Sequence, residues 1–373
     1  MLMKRLTDVA NGRDNNFNLL RLIAATAVLI SHSFPLAIGP KATEPLVDAV
    51  GMTLGGVAVD VFFVTSGYLV TASLINRRST LEFVWARTLR IFPGLVVMLM
   101  VVAFVAGPLL TTLHLAQYFA STRVYMFLAE CSTLFRCHDQ LPGVFTDNPF
   151  KETINGSLWT LPHELKMYAL LALAWLLLAV AQKLRLQALH CAIVVGAVAA
   201  GVDQLALHLR GLPVRPFIHF AYLFFGGAAC YVLRDRFVLS GTLFWTLLVA
   251  LLVTAVDKEV FYIAYMLLLP YLLIYAAYAQ WPVIRLYNKL GDYSYGIYIY
   301  AFPVQQSAAH FFPGISVLGL MSVSAFFTIL FAIASWHIVE SRALSLKNHP
   351  LMKQAAGGAA RLLRQTWPKR PIA

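Results

Sequence analysis

Ten apolar stretches long enough to cross a bilayer recur along the chain, and this limits it to one architecture. They fall at about 17–38, 54–75, 93–110, 161–181, 188–207, 217–233, 237–256, 260–279, 294–310 and 315–339. A backbone inside lipid must satisfy its own polar groups, so runs of this length and number specify spanning α-helices. The composition agrees: 12% of residues are charged and the mean hydropathy is +0.71, whereas a soluble domain is about one quarter charged. The first run follows Lys4, Arg5 and Arg13 and superficially resembles a secretory signal. It is too long for one, and no A-x-A site follows, so it reads as a retained helix. The expected fold is an all-α, polytopic membrane protein with about ten transmembrane helices.

An even number of spans puts both termini on one side. With the termini inside, the inner segments hold 20 Lys and Arg residues and the outer segments 7. The positive-inside rule therefore predicts both termini in the cytoplasm. The net charge of +12 then reflects topology and attraction to anionic membrane lipids. No basic domain with interleaved aromatics stands outside the spans, so nucleic acid is excluded as a partner. Residues 1–345 read as the membrane domain and 346–373 as a basic cytoplasmic tail, a surface helix or disordered. The one long loop, about 111–157, falls outside and is either functional or poorly ordered. It holds Cys131 and Cys137, close enough in the chain to form a disulfide in an oxidising compartment. Cys191 and Cys230 lie in spans and are expected to stay reduced.

Four clusters of polar residues interrupt the apolar pattern. Arg21 and His32 are 11 positions apart in the first span, which returns them to nearly one helical face, ~16 Å apart along the axis. A charge inside a membrane helix needs a partner and marks a functional site by default; snorkelling and a single interhelical hydrogen bond are the competing readings. Asp60 lies within GGVAVDVFFVTSGYLV, where Thr65, Ser66 and Gly67 read as helix packing. Arg87 and Arg90, with Arg77 and Arg78 upstream, form a guanidinium cluster suited to phosphates; plain topogenic anchoring competes. Trp159, His163, Glu164 and Lys166 crowd the outer start of the fourth span. There Glu164 can answer the helix dipole, and Trp159 can be an interfacial aromatic or a stacking face. No metal site is expected. His163-Glu164 lacks the H-E-x-x-H spacing, and Cys137-His138-Asp139 has no second cluster. Neither a Gly-rich phosphate loop nor a G-x-S-x-G elbow occurs.

In order and spacing these stretches resemble the acyltransferase 3 family of bacterial membrane O-acyltransferases. The matches are Arg21 with His32 after ten residues, Asp60-Val-Phe-Phe-Val-Thr-Ser-Gly67, Arg87-Thr-Leu-Arg90-Ile-Phe-Pro93 and Ser157-Leu-Trp-Thr-Leu-Pro-His-Glu164. Near the end come Ser294-Tyr-Gly-Ile-Tyr298-Ile-Tyr-Ala-Phe-Pro303 and His337-Ile-Val-Glu340. The resemblance spans about residues 15–345. It implies a ten-helix enzyme of the bacterial inner membrane that moves an acyl group, usually acetyl, from cytoplasmic acyl-coenzyme A to a hydroxyl of a carbohydrate or lipid-linked glycan at the outer face. Acetyl-coenzyme A would be a co-substrate, with no tightly bound cofactor. Catalysis is expected from His32, Arg21 and Glu164, donor binding from Arg87 and Arg90, and support from Asp60 and Trp159. Two departures matter. Many members have a histidine where this chain has Ala301, and some carry an extra extracytoplasmic domain, so transfer here is expected to finish within the membrane domain. A histidine suits the chemistry either as base for a sugar hydroxyl or as transient acyl carrier. Ser31, Ser33, Ser66 and Tyr68 are candidate oxyanion donors. A proton-coupled transporter or flippase is the alternative, with His32, Asp60 and Glu164 as relay groups; it would favour inverted repeats, and none is seen.

Overall fold

The computed structural model describes residues 4–10, 15–77, 79–178, 184–213, 215–280, 287, 291–348 and 350. Among the described residues ten main helices build it: α1 Phe17–Ile38, α2 Leu54–Arg77, α3 Thr80–Leu110, α4 Leu161–Leu177, α5 Arg185–Leu209, α6 Pro216–Val232, α7 Gly241–Val256, α8 Lys258–Tyr278, α9 Ser294–Phe311 and α10 Val317–Ser345. Each occupies one of the ten stretches expected from sequence. Six of them, α1, α2, α3, α5, α8 and α10, are long and apolar enough to cross a membrane. The only sheet among the described residues is one short antiparallel pair, β1 Lys4–Arg5 with β2 Val238–Leu239.

The centre of the bundle is the crossing of α2 and α6, and two glycines make it possible. A Cβ on Gly67 would lie 1.8 Å from the Phe224 carbonyl oxygen, and one on Gly227 would lie 2.0 Å from that of Val64. The two backbones therefore touch, the close approach that small residues permit in membrane helices. Helix α1 lies against α2 and α9, and α9 against α10, and Arg21, Ser31, His32 and Ser33 of α1 face the interior.

Helix α3 starts earlier than expected. The predicted span began at 93, but the helix begins at Thr80, where Ser79 Oγ accepts from the Glu82 amide at 3.4 Å. Arg87 and Arg90 thus lie inside a 31-residue helix, not in a loop before it. Buried carboxylates, described below, make this tolerable for Arg90. Arg78 lies outside the described residues. Near its other end α3 widens into a π-turn at Val102–Ala106. Tyr118 fills the gap, donating to the Ala103 carbonyl at 2.8 Å, a partner for a carbonyl such a turn leaves free.

The long connection after α3 is ordered and packed. It contains helices Leu115–Ala120 and Thr122–Thr133, with Tyr118, Val124, Phe127 and Phe145 buried. Cys131 and Cys137 are joined in a disulfide with Cα atoms 4.3 Å apart. Beside it His138 Nδ1 lies 2.6 Å from Glu130 Oε2, and this hydrogen bond holds the Glu130 carboxyl below its ordinary range. Gln306 of α9 anchors the later part, donating to the Phe150 and Thr153 carbonyls at 2.8 and 2.7 Å.

Several contacts gather at the opposite end of the bundle. The β1–β2 pair joins the N-terminal segment to the α6–α7 turn. Tyr231 near the end of α6 reaches Asn76 at the end of α2, 3.5 Å away. Trp85, early in α3, donates to the Leu346 carbonyl at 3.1 Å. Asn16 ties the start of α1 to the end of α8 through the Ala276 and Ala279 carbonyls. Apart from residues 346–348 and 350, the basic tail expected over 346–373 lies outside the described residues.

Candidate active site

Three cavities follow one another along the inward face of α1. The largest, about 490 Å³, opens where α1, α2, α6 and the start of α4 converge. His32 lines it. Its Nδ1 is buried with no hydrogen-bond partner among the described residues, and its ring meets Phe302 edge-on at 5.3 Å. The neighbouring Ser31 accepts from the Gly55 amide at 2.9 Å and donates to the Glu44 carboxylate. Glu44, in the α1–α2 connection, is thereby fixed beside His32 in the same cavity. Asp60 also faces this space and is 2% exposed. It is fully engaged: His219 Nε2 of α6 lies 2.8 Å from one oxygen, and Tyr265 of α8 donates to the other at 2.9 Å. This meets the requirement that a carboxylate at such depth has a partner.

Tyr298 of α9 forms the neck below. Its hydroxyl donates to the Ser157 carbonyl at 2.8 Å and lies 2.5 Å from Thr160 Oγ1. Tyr298 and Val59 line both the large cavity and a second, of about 30 Å³, that holds Arg21 and Glu164. Arg21 sits over the Phe62 ring at 5.8 Å. Glu164 accepts from Ser66 at 2.7 Å and from Tyr168.

A third cavity, again about 30 Å³, is lined by Arg21, Ser66, Arg87, Arg90, Glu164 and Tyr168, among others. Here the two arginines of α3 differ. Arg90 is caught between two acids, with Asp292 Oδ2 at 2.6 Å and Glu340 Oε2 at 3.7 Å. Asp292 also faces Arg21 at 3.5 Å and accepts from the Ser294 hydroxyl at 2.5 Å, while Ser335 donates to Glu340 at 2.9 Å. Arg87 forms no ion pair among the described residues. Its guanidinium lies 5.9 Å from the Tyr168 ring centroid, and its buried Nε has no partner there. Arg90 is neutralised by the fold, whereas Arg87, beside Tyr168, has no carboxylate within ion-pair distance among the described residues.

The residues singled out from sequence therefore lie along one line rather than in one cluster. His32, Asp60 and Trp159 line the large cavity, Arg21 and Glu164 both small ones, and Arg87 and Arg90 the second of these. Ser66, assigned from sequence to packing, binds Glu164 instead. Three of the oxyanion candidates are occupied elsewhere: Ser31 with Glu44, Ser33 with the Leu29 carbonyl, and Tyr68 with Tyr278. Sequence reasoning missed Glu44, His219, Asp292 and the neck role of Tyr298. Asp292 left one legible trace, since an acid two residues before Ser294 can bind that residue's amide, as it does at 3.3 Å. Glu44 left none.

Comparison with known proteins adds three findings. A family model described as an acyltransferase domain matches residues 14–338. An O-acetyl transferase of Shigella phage Sf6 is 30% identical over 350 residues, 89% of this chain and 97% of that protein. Nodulation protein 10 of Rhizobium leguminosarum bv. viciae is 30% identical over 368 residues, 91% of this chain and 95% of that protein. No solved structure matches the chain.

Proposed function

The chain belongs to the acyltransferase 3 family of O-acyltransferases, and we propose that it carries an acetyl group from cytoplasmic acetyl-coenzyme A to a hydroxyl of a carbohydrate or lipid-linked glycan at the outer face of the bacterial inner membrane. The observation that carries this reading is the succession of cavities. Neighbouring cavities share lining residues, Val59 and Tyr298 for one junction and Arg21, Glu164 and Tyr295 for the other. A line of neighbouring cavities along α1 thus runs from Arg87, which has no ion pair among the described residues, to His32, whose Nδ1 has no partner there.

Orientation follows from charge. The end of the bundle that gathers β1, the α2–α3 and α6–α7 turns and the start of α3 carries Lys4, Arg5, Arg77, Arg234 and Arg236. The positive-inside rule favours that end in the cytoplasm, which supports ten spans with both termini inside. Arg87 then faces the side on which coenzyme A is found.

The division of labour follows. Arg87 binds a donor phosphate through its guanidinium, which no carboxylate among the described residues pairs. The two narrow cavities suit the slender pantetheine arm rather than the nucleotide, and Glu164 is placed to accept from an amide of that arm. At the far end His32 takes the proton of the acceptor hydroxyl as its oxygen attacks the thioester carbon. The C–O bond forms, the C–S bond breaks, and the coenzyme A thiolate leaves with the proton returned by His32. Arg21, balanced by Asp292 and Phe62, holds the junction between the two narrow cavities. The transporter that the same buried charges would also permit is set aside, because the family is one of acyltransferases.

The test is mass spectrometry of surface glycan from a strain lacking the gene, complemented with wild type or His32→Ala. Wild type should restore the acetyl mass increment, and His32→Ala should not, at equal amounts of protein in the membrane. Restoration by His32→Ala would overturn the assignment of the base. No acetyl difference between the deletion strain and its parent would overturn the glycan as acceptor.

A further inference from the structure

Resting on that reading, we infer that the outer cavity is a subsite for one pyranose ring, stacked on Trp159 beside Phe220 and held through a hydroxyl by the Glu44 carboxylate. The volumes divide the substrates. Of the three cavities along α1, only the outer one, at about 490 Å³, falls within the ~300–1,000 Å³ typical of small-molecule sites; the two inner ones, at about 30 Å³ each, are too small for a sugar ring.

Its wall has the two elements that a sugar needs. The first is an aromatic platform. Trp159 is 53% exposed, and Phe220 stands 5.6 Å from it at an interplanar angle of 45°. Phe220 cannot swing away, because it is stacked on Phe63 at 4.1 Å and 5°. The π-face of an indole is negative, and the axial C–H groups on one side of a pyranose chair are its positive complement. The second element is a directed acceptor. Glu44 is the carboxylate of this cavity with a free oxygen among the described residues, since both oxygens of Asp60 are taken by His219 and Tyr265. Its other oxygen is locked to Ser31, whose Oγ also holds the Gly55 amide. Gly55 makes that lock possible, for a Cβ there would lie 3.0 Å from Ser31 Oγ. Glu44 and His32 both line this cavity, so the free oxygen and the base face the same space. A sugar stacked on Trp159 and hydrogen-bonded to Glu44 through one hydroxyl presents a neighbouring hydroxyl to His32. A lipid tail would need no carboxylate, and an extended peptide would need a free backbone edge, which none of these elements offers.

The experiment uses the full-length protein in membranes, acetyl-coenzyme A as donor, and as acceptor the host's surface glycan stripped of its O-acetyl groups by mild alkali. Trp159→Ala and Glu44→Gln should each raise the acceptor KM about tenfold or more, with the donor KM unchanged. Trp159→Phe, which keeps a stacking face, should recover most of the loss. Glu44→Gln keeps an acceptor for Ser31, so it serves as the variant that preserves the local fold; folded protein is checked by gel filtration. A wild-type acceptor KM in both Trp159→Ala and Glu44→Gln would overturn the subsite while leaving the proposed function intact. A Trp159→Phe variant as impaired as Trp159→Ala would overturn the stacking role. If the wild-type protein transfers acetyl to no glycan, the proposed function fails, and the subsite with it.

Discussion

Asp292 meets Arg90 at 2.6 Å, an ion pair in which both side chains are nearly buried, 12% and 11% exposed. Removing one partner of such a pair leaves a charge stranded, at a cost of ~3–5 kcal/mol. Asp292→Ala should therefore lower the thermal midpoint of the detergent-solubilised protein sharply and reduce the amount recovered from membranes. Asp292→Asn, which keeps an acceptor for Arg90 and Ser294, should lose less. Equal midpoints for Asp292→Ala and wild type would show that the pair adds nothing to the fold.

The two arginines of α3 should separate by experiment. Arg87→Ala leaves no carboxylate unpaired among the described residues, so the protein should fold and should show a donor KM raised roughly tenfold, about 1.4 kcal/mol of lost charge-assisted bonding. Arg90→Ala leaves Glu340 without an ion pair and Asp292 with only Arg21 at 3.5 Å, and should fail as a folding defect before any kinetic effect can be read. Titrating acetyl-coenzyme A against each purified variant decides the matter; a normal donor KM for Arg87→Ala counts against a phosphate contact.

Gly67 offers a contrast with Gly196. A methyl at Gly67 runs into the Phe224 backbone at 1.8 Å, whereas nothing lies within 4 Å of a Cβ at Gly196. Gly67→Ala should force α2 and α6 apart and cost ~1–3 kcal/mol or more. Gly196→Ala, in the middle of α5, should be neutral or stabilising by up to ~1 kcal/mol through helix propensity. Thermal midpoints of the two variants, measured side by side, test this; similar values would refute the tight crossing.

Cys131 and Cys137 should be recovered as one cross-linked peptide when the protein is alkylated at purification and mapped without reduction. Cys191 and Cys230 should be recovered unlinked. The ring is short, so its loss should cost at most ~2–3 kcal/mol. Recovery of Cys131 and Cys137 each alkylated would reject the disulfide. Labelling of this segment only from the cytoplasmic side would reject the proposed orientation.

The helices were legible in the sequence because a bilayer tolerates few alternatives to an apolar run of that length. The start of α3 was not, because Arg87 and Arg90 break the hydropathy pattern and the buried partners of Arg90 come from residues 292 and 340, far along the chain. The same distance explains the fate of Asp60. Its need for a partner could be read from its depth, but that His219 and Tyr265 supply it depends on how α6 and α8 pack. Ser66 and Gly67 are adjacent and looked alike as small residues; neighbours on a helix point about 100° apart, so one faces Glu164 and the other Phe224. Glu44 sits in a connection with no periodicity, and only its bond to Ser31 distinguishes it from any other loop carboxylate.

The pairing of Lys4 and Arg5 with Leu239 and Val238 has a consequence for biosynthesis. The first strand emerges from the ribosome at once, but its partner is made more than two hundred residues later. At about 5–20 residues per second, the N-terminal segment waits on the order of tens of seconds, unpaired, while six helices are made. A bulky fusion placed ahead of Lys4 would occupy the ground where the strand must close, whereas that closure, once made, records that the sixth helix is complete.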